Sequence, residues 1–161
     1  MFTSLKRLLA AMQKLGASQF LVKRLASNDN SKNQVYLGSG FDALNIIPHK
    51  DIETDYAEKA GSVRRRDKAP VELYWIDSQG IHRAPYTQLI LYPKYPEVRM
   101  SGFLRDSKNA PNVLMRSRDP GRFLLFGIKP EGAVFAYADH GDSDVGEMKF
   151  NGLFILLGYT F

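Results

Sequence analysis

The sequence predicts one mostly β domain with one or two short helices, folded as a small barrel or sandwich. Seven or so short segments rich in strand formers follow one another at close spacing, each bounded by turn residues. Helical apolar spacing is confined to the first residues and to one short stretch, so strands do not alternate with long helices as a βαβ fold requires. A chain of 161 residues with 44% hydrophobic and 12% aromatic content is large enough to bury a core without metal or disulfide staples.

Residues 1–16 open the chain as an amphipathic helix. Leu5, Leu8, Leu9, Met12 and Leu15 recur at helical spacing between Lys6, Arg7 and Lys14. The absence of acidic residues from Met1 to Asn28 is also a feature of organelle presequences. Lys6 and Arg7 interrupt any secretory apolar core, however, and a helix packed on the domain explains the same pattern. Residues 18–25 read as a strand, 26–33 as a polar turn-forming loop, and 34–37 as a second strand. Gly38-Ser39-Gly40 breaks the chain, and 41–47 reads as a short helix ending before Pro48.

Residues 51–60 are polar and poorly patterned, and Arg64, Arg65, Arg66 and Lys68 follow them. This stretch reads as a mobile surface excursion with a basic tip. Strand signals then dominate at 71–77, 81–83 and 86–92, after which 97–104 alternates Val98 and Met100 with Glu97, Arg99 and Ser101. Segments 122–128, 133–138 and 152–161 supply further strands. A single domain over 1–161 is expected, with a barrel core at 18–138 and an acidic turn and final strand at 139–161.

Composition narrows the chemistry. With no cysteine, disulfides, thiolate zinc sites and cysteine nucleophiles are excluded, and three histidines give little material for a metal cage. No P-loop, G-x-S-x-G, H-E-x-x-H or dinucleotide fingerprint occurs. No apolar run reaches the roughly 20 residues of a membrane helix. A cytoplasmic protein with no membrane partner and no cofactor of its own is the expectation. Lys and Arg number 22 against 17 Asp and Glu, and the resulting charge of +5 favours polyanionic partners where it is clustered.

Glu97 and Arg99 form the most informative pair. Two apart on a strand, they share a face, with Lys94 close by in sequence. A carboxylate can accept from cytosine N4 while an arginine fork donates to guanine O6 and N7, a discrimination of about 1–3 kcal/mol. On spacing alone, a cross-strand salt bridge on a solvated face is the simpler reading. Lys32, Asn33 and Gln34 offer a second base-reading segment, with an ordinary polar loop as its alternative. Lys23, Arg64, Arg66 and Arg105 are candidate phosphate contacts. An enzymatic alternative rests on Asp142, Glu147 and Lys149, spaced as in Mg²⁺-dependent nucleases, although an acidic turn explains the same residues. A further alternative is a protein-interaction barrel with an incidental basic face.

Phe20-Leu21-Val22-Lys23-Arg24-Leu25-Ala26-Ser27-Asn28-Asp29, followed by Asn33-Gln34-Val35-Tyr36-Leu37, resembles the N-terminal effector-DNA-binding domain of EcoRII-type restriction endonucleases. Pro96-Glu97-Val98-Arg99-Met100-Ser101 is similar to that family's Asn-Glu-Lys-Arg-Ile-Thr segment, with Val98 in place of its basic residue, and Arg122-Phe123-Leu124-Leu125-Phe126 to its late core strand. The resemblance spans about Ser18 to Lys129. It implies a seven-stranded open pseudobarrel of the plant B-three type that reads a pseudopalindrome such as CCWGG through two major-groove arms. It places Asn33 and Gln34 in one arm and Glu97 and Arg99 in the other. It further implies a bacterial restriction endonuclease in which this non-catalytic domain is tethered to a nuclease domain, for example one similar to the MvaI and BcnI enzymes, that alone would need Mg²⁺. The same Glu97 and Arg99 are thus selected twice, which favours base reading over the salt bridge.

Overall fold

The computed structural model describes residues 5–24, 34–37, 43–77, 80–92, 97–103, 123–138 and 153–155. Helix α1 (Leu5–Lys14) is followed by β1 (Gln19–Arg24), β2 (Gln34–Tyr36) and the short α2 (Ala43–Ile46). Then come β3 (Glu53–Lys59), β4 (Ser62–Pro70), β5 (Leu73–Asp77), β6 (Gly80–Ala84), β7 (Gln88–Tyr92), β8 (Glu97–Ser101), β9 (Phe123–Lys129), β10 (Ala133–Ala138) and β11 (Leu153–Ile155).

These strands form two open sheets. One has six strands in the order β11-β1-β9-β10-β5-β6, and the other five in the order β2-β8-β7-β4-β3. Pairing is antiparallel throughout except between β10 and β5, where Val134 lies opposite Leu73. Among the described residues neither sheet closes on itself.

The main core lies between the sheets. Leu21, Leu73, Trp75, Leu124, Phe126, Ile128 and Val134 meet Val35, Ala69, Leu89, Val98, Met100 and Phe103 there. The Trp75 indole donates to the Phe103 carbonyl at 3.3 Å, so its one polar atom is satisfied on burial. The Phe103 ring lies 5.5 Å from Trp75 and 6.1 Å from Phe126, edge-on to the latter.

Helix α1 covers the far face of the six-stranded sheet. Leu8, Leu9 and Met12 are buried against Phe20, Val22, Leu125, Phe135 and Tyr137. Close approach depends on Gly127, where a Cβ would stand 2.7 Å from Met12 Sδ and 3.2 Å from the Ala17 Cβ. With both faces covered, β9 reads as a continuous apolar run, Leu124-Leu125-Phe126, rather than an alternation. Strand β8 alternates because, among the described residues, core covers only one of its faces.

Two expectations need correction. Eleven strands occur among the described residues rather than seven or so. Residues 53–70 are also no irregular excursion: β3 and β4 pair along seven positions from Glu53 opposite Lys68 to Lys59 opposite Ser62. Their hydrophobic period is absent because most of this hairpin has solvent on both sides. Only Asp67 to Pro70 of β4 pair onward to β7. Ala60 and Gly61 close the hairpin with φ of 53° and 76°, the left-handed values of a tight two-residue turn. Polar cross-strand contacts do the work that apolar patterning does elsewhere: Arg66 bonds Asp55, and Thr54 bonds Asp67 at 2.9 Å.

Candidate nucleic-acid interface

Alternation along β8 sends Val98 and Met100 into the core and Glu97 and Arg99 to the opposite face. Register then builds a row across the whole five-stranded sheet. Tyr36 of β2 lies opposite Arg99, Arg99 opposite Ile90 of β7, Ile90 opposite Lys68 of β4, and Lys68 opposite Glu53 of β3. Ile90 is buried yet belongs to neither core cluster, as a residue beneath the side chains of this outer row should.

Arg99 is the hub of the face. Its Nη2 donates to Glu97 Oε2 at 2.9 Å and its Nη1 to Gln34 Oε1 at 3.1 Å. The guanidinium carbon lies 4.5 Å from the Tyr36 ring centroid and 4.8 Å from that of Tyr92, within range for cation–π attraction to both. The Arg99 and Glu97 side chains retain 21% and 32% of their exposure, so the pair is confined but still reachable from solvent. Arg99 Nε is buried without a hydrogen-bond partner. Two rings and two acceptors together fix a planar, permanently charged fork in one orientation, which a lone surface arginine lacks.

The same face continues onto β4. Arg64, Arg66 and Lys68 are two apart in sequence and therefore share a side of the strand. Arg66 Nη2 and Lys68 Nζ each lie 2.9 Å from Asp55 Oδ2. These hydrogen bonds, that from Lys68 foremost, and a further one from the Tyr56 amide hold the Asp55 carboxyl well below the usual carboxylate range. Arg64 is exposed and makes no ion pair among the described residues. Arg65, on the other side of the ribbon, reaches Asp67 at 3.4 Å.

Of the residues selected from sequence, Gln34, Glu97 and Arg99 come together in one hydrogen-bonded group, and Arg64 and Arg66 lie on the same sheet face. Lys23 does not join them. It is buried on β1 of the six-stranded sheet, in register with Leu124 and Leu153. Lys32, Asn33, Lys94 and Arg105 lie outside the described residues, as do Asp142, Glu147 and Lys149. Sequence reasoning missed Tyr36, Tyr92, Asp55 and the place of Lys68. Tyr36 carried a signal, since it stands two residues after Gln34 on the same strand. The flanking of Arg99 by Tyr92 depends on strand order, which no local pattern reveals.

Among the described residues no three His, Asp or Glu side chains cluster as a metal site would require. Comparison of the chain with protein-family models, curated proteins and solved structures finds no match.

Proposed function

We propose that this chain is a sequence-specific double-stranded DNA-binding domain that reads base edges with Gln34, Glu97 and Arg99 and holds phosphates with the basic residues of β4. The carrying observation is that Gln34 and Arg99, 65 residues apart in sequence, meet in one hydrogen-bonded group on the sheet face not covered by core. Glu97 and Arg99 then present an acceptor and a fork side by side, the pairing suited to a C·G pair in the major groove. Two tyrosines restrain the fork, which lowers the ordering cost of binding. The cations of β4 lie on the same face, where backbone contacts would set register without reading sequence.

The family resemblance supports the same reading. In this proposal the two sheets correspond to an open pseudobarrel of the B-three type, and the domain recognises the target or effector site of a type II restriction endonuclease whose tethered nuclease domain performs cleavage. CCWGG is the first duplex to test.

Fluorescence anisotropy with labelled CCWGG and scrambled duplexes, over a salt series with Mg²⁺ present, tests the reading. Selective binding with intact DNA is expected, with log K falling against log salt at a slope of about −4 to −5 if about five phosphates are neutralised. Equal affinity for the two duplexes contradicts base reading of that target, and strand cleavage would assign catalysis to the chain itself.

A further inference from the structure

The hairpin formed by β3 and β4 carries an acidic residue where a DNA-binding face should exclude one. Asp55 stands on the same side as Arg66 and Lys68, and both cations converge on its single oxygen Oδ2 at 2.9 Å. The carboxylate is 44% exposed, so it is neither buried for the fold nor shielded from an incoming anion. Two cations sharing one anionic oxygen is also the arrangement by which an arginine and a lysine grip a phosphate oxygen.

Register gives this cluster a place relative to the base-reading group. Lys68 lies two strands from Arg99, about 10 Å across the sheet, and Arg64 lies four residues further along β4, about 13 Å. Lys68, Arg66 and Arg64 therefore form a ladder that leaves Arg99 obliquely. Each rung advances about 7 Å, and each DNA strand carries one charge per about 3.4 Å of helix axis. The outermost rung, Arg64, is unpaired among the described residues, while the inner two share the single negative charge of Asp55.

We infer that Asp55 is a resident phosphate surrogate: in the free protein it occupies the oxygen site that a DNA phosphate takes on binding, and it thereby restrains sequence-independent affinity. This rests on the DNA-binding reading above. Because electrostatic contact supplies essentially all of non-specific binding, an anion that must be displaced weakens the hold on every duplex. Base contacts then decide where the domain stays. Until DNA arrives, Asp55 also keeps the two long side chains in the positions they need.

The test compares Asp55→Asn with Glu58→Gln. Both remove one negative charge from β3, but Glu58 lies on the opposite side of the ribbon from Asp55, away from the ladder. Anisotropy with matched and scrambled duplexes at low and high salt is the readout, and circular dichroism confirms folding of each variant. Asp55→Asn is expected to bind both duplexes roughly tenfold more tightly at low salt, with the gain shrinking as salt rises; Glu58→Gln should gain much less. Equal gains for the two variants, or none for Asp55→Asn, overturn the inference while leaving selective wild-type binding intact. A wild-type chain that fails to discriminate, beside an Asp55→Asn gain, removes the base-reading assignment alone. No binding by the wild-type chain removes both.

Discussion

The two sheets are built from similar strands but meet different surroundings. The six-stranded sheet is covered on one side by the five-stranded sheet and on the other by α1, so its central strands carry apolar residues toward both. Among the described residues, core covers the five-stranded sheet on one side only. Its other face holds an arginine between two tyrosines, a carboxylate, an amide and a row of cations. A face that buries nothing in the core is free to be chosen for binding, and under the proposed function stability and recognition fall on opposite sides of one layer.

Substitutions on the two faces should have different consequences. Trp75→Ala, in the shared core, should have the largest effect, about 3–5 kcal/mol lost in urea unfolding, because a large fully buried side chain leaves a cavity and an orphaned Phe103 carbonyl. On the bare face, Tyr92→Leu keeps bulk but removes one ring from Arg99. Affinity for the preferred duplex should fall by about 1 kcal/mol, roughly fivefold, with the unfolding midpoint nearly unchanged. A smaller effect is expected at the hairpin turn. Ala60 holds a left-handed φ, so Ala60→Asn should raise stability by up to about 1 kcal/mol in thermal unfolding.

The ribbon should also be insensitive to pH over the physiological range. The Asp55 carboxyl is depressed by Lys68 and Arg66, so its stabilising effect is complete above the unfolded carboxylate value near 3.9 and is lost only as pH falls through the lower folded value. Chemical shifts of the hairpin amides should therefore hold steady between about pH 5 and pH 9, and any change attributable to Asp55 should appear below that window.

Elements with apolar periodicity were legible in sequence. The helix at 5–14 and the strand at 97–101 follow from spacing of 3.6 or 2 that burial on one face imposes, and the strands at 19–24 and 133–138 from short runs rich in strand formers. The hairpin at 53–70 was not, because a ribbon solvated on both sides needs no apolar period and is held by ions and a tight turn. The same logic divides the site. Alternation alone brings Glu97 beside Arg99, whereas the meeting of Gln34, Tyr36 and Tyr92 around that arginine depends on β2 and β7 flanking β8. Strand order is a global property, and the missed residues are those whose role arises from it.

The most direct test of this division compares Arg99→Ala with Arg66→Ala on matched and scrambled duplexes under identical salt. Arg99→Ala should abolish most of the preference at one base-pair position while scrambled binding changes little, and Arg66→Ala should weaken both duplexes about equally. If the two variants instead lose affinity in the same pattern, the face does not separate base reading from phosphate contact.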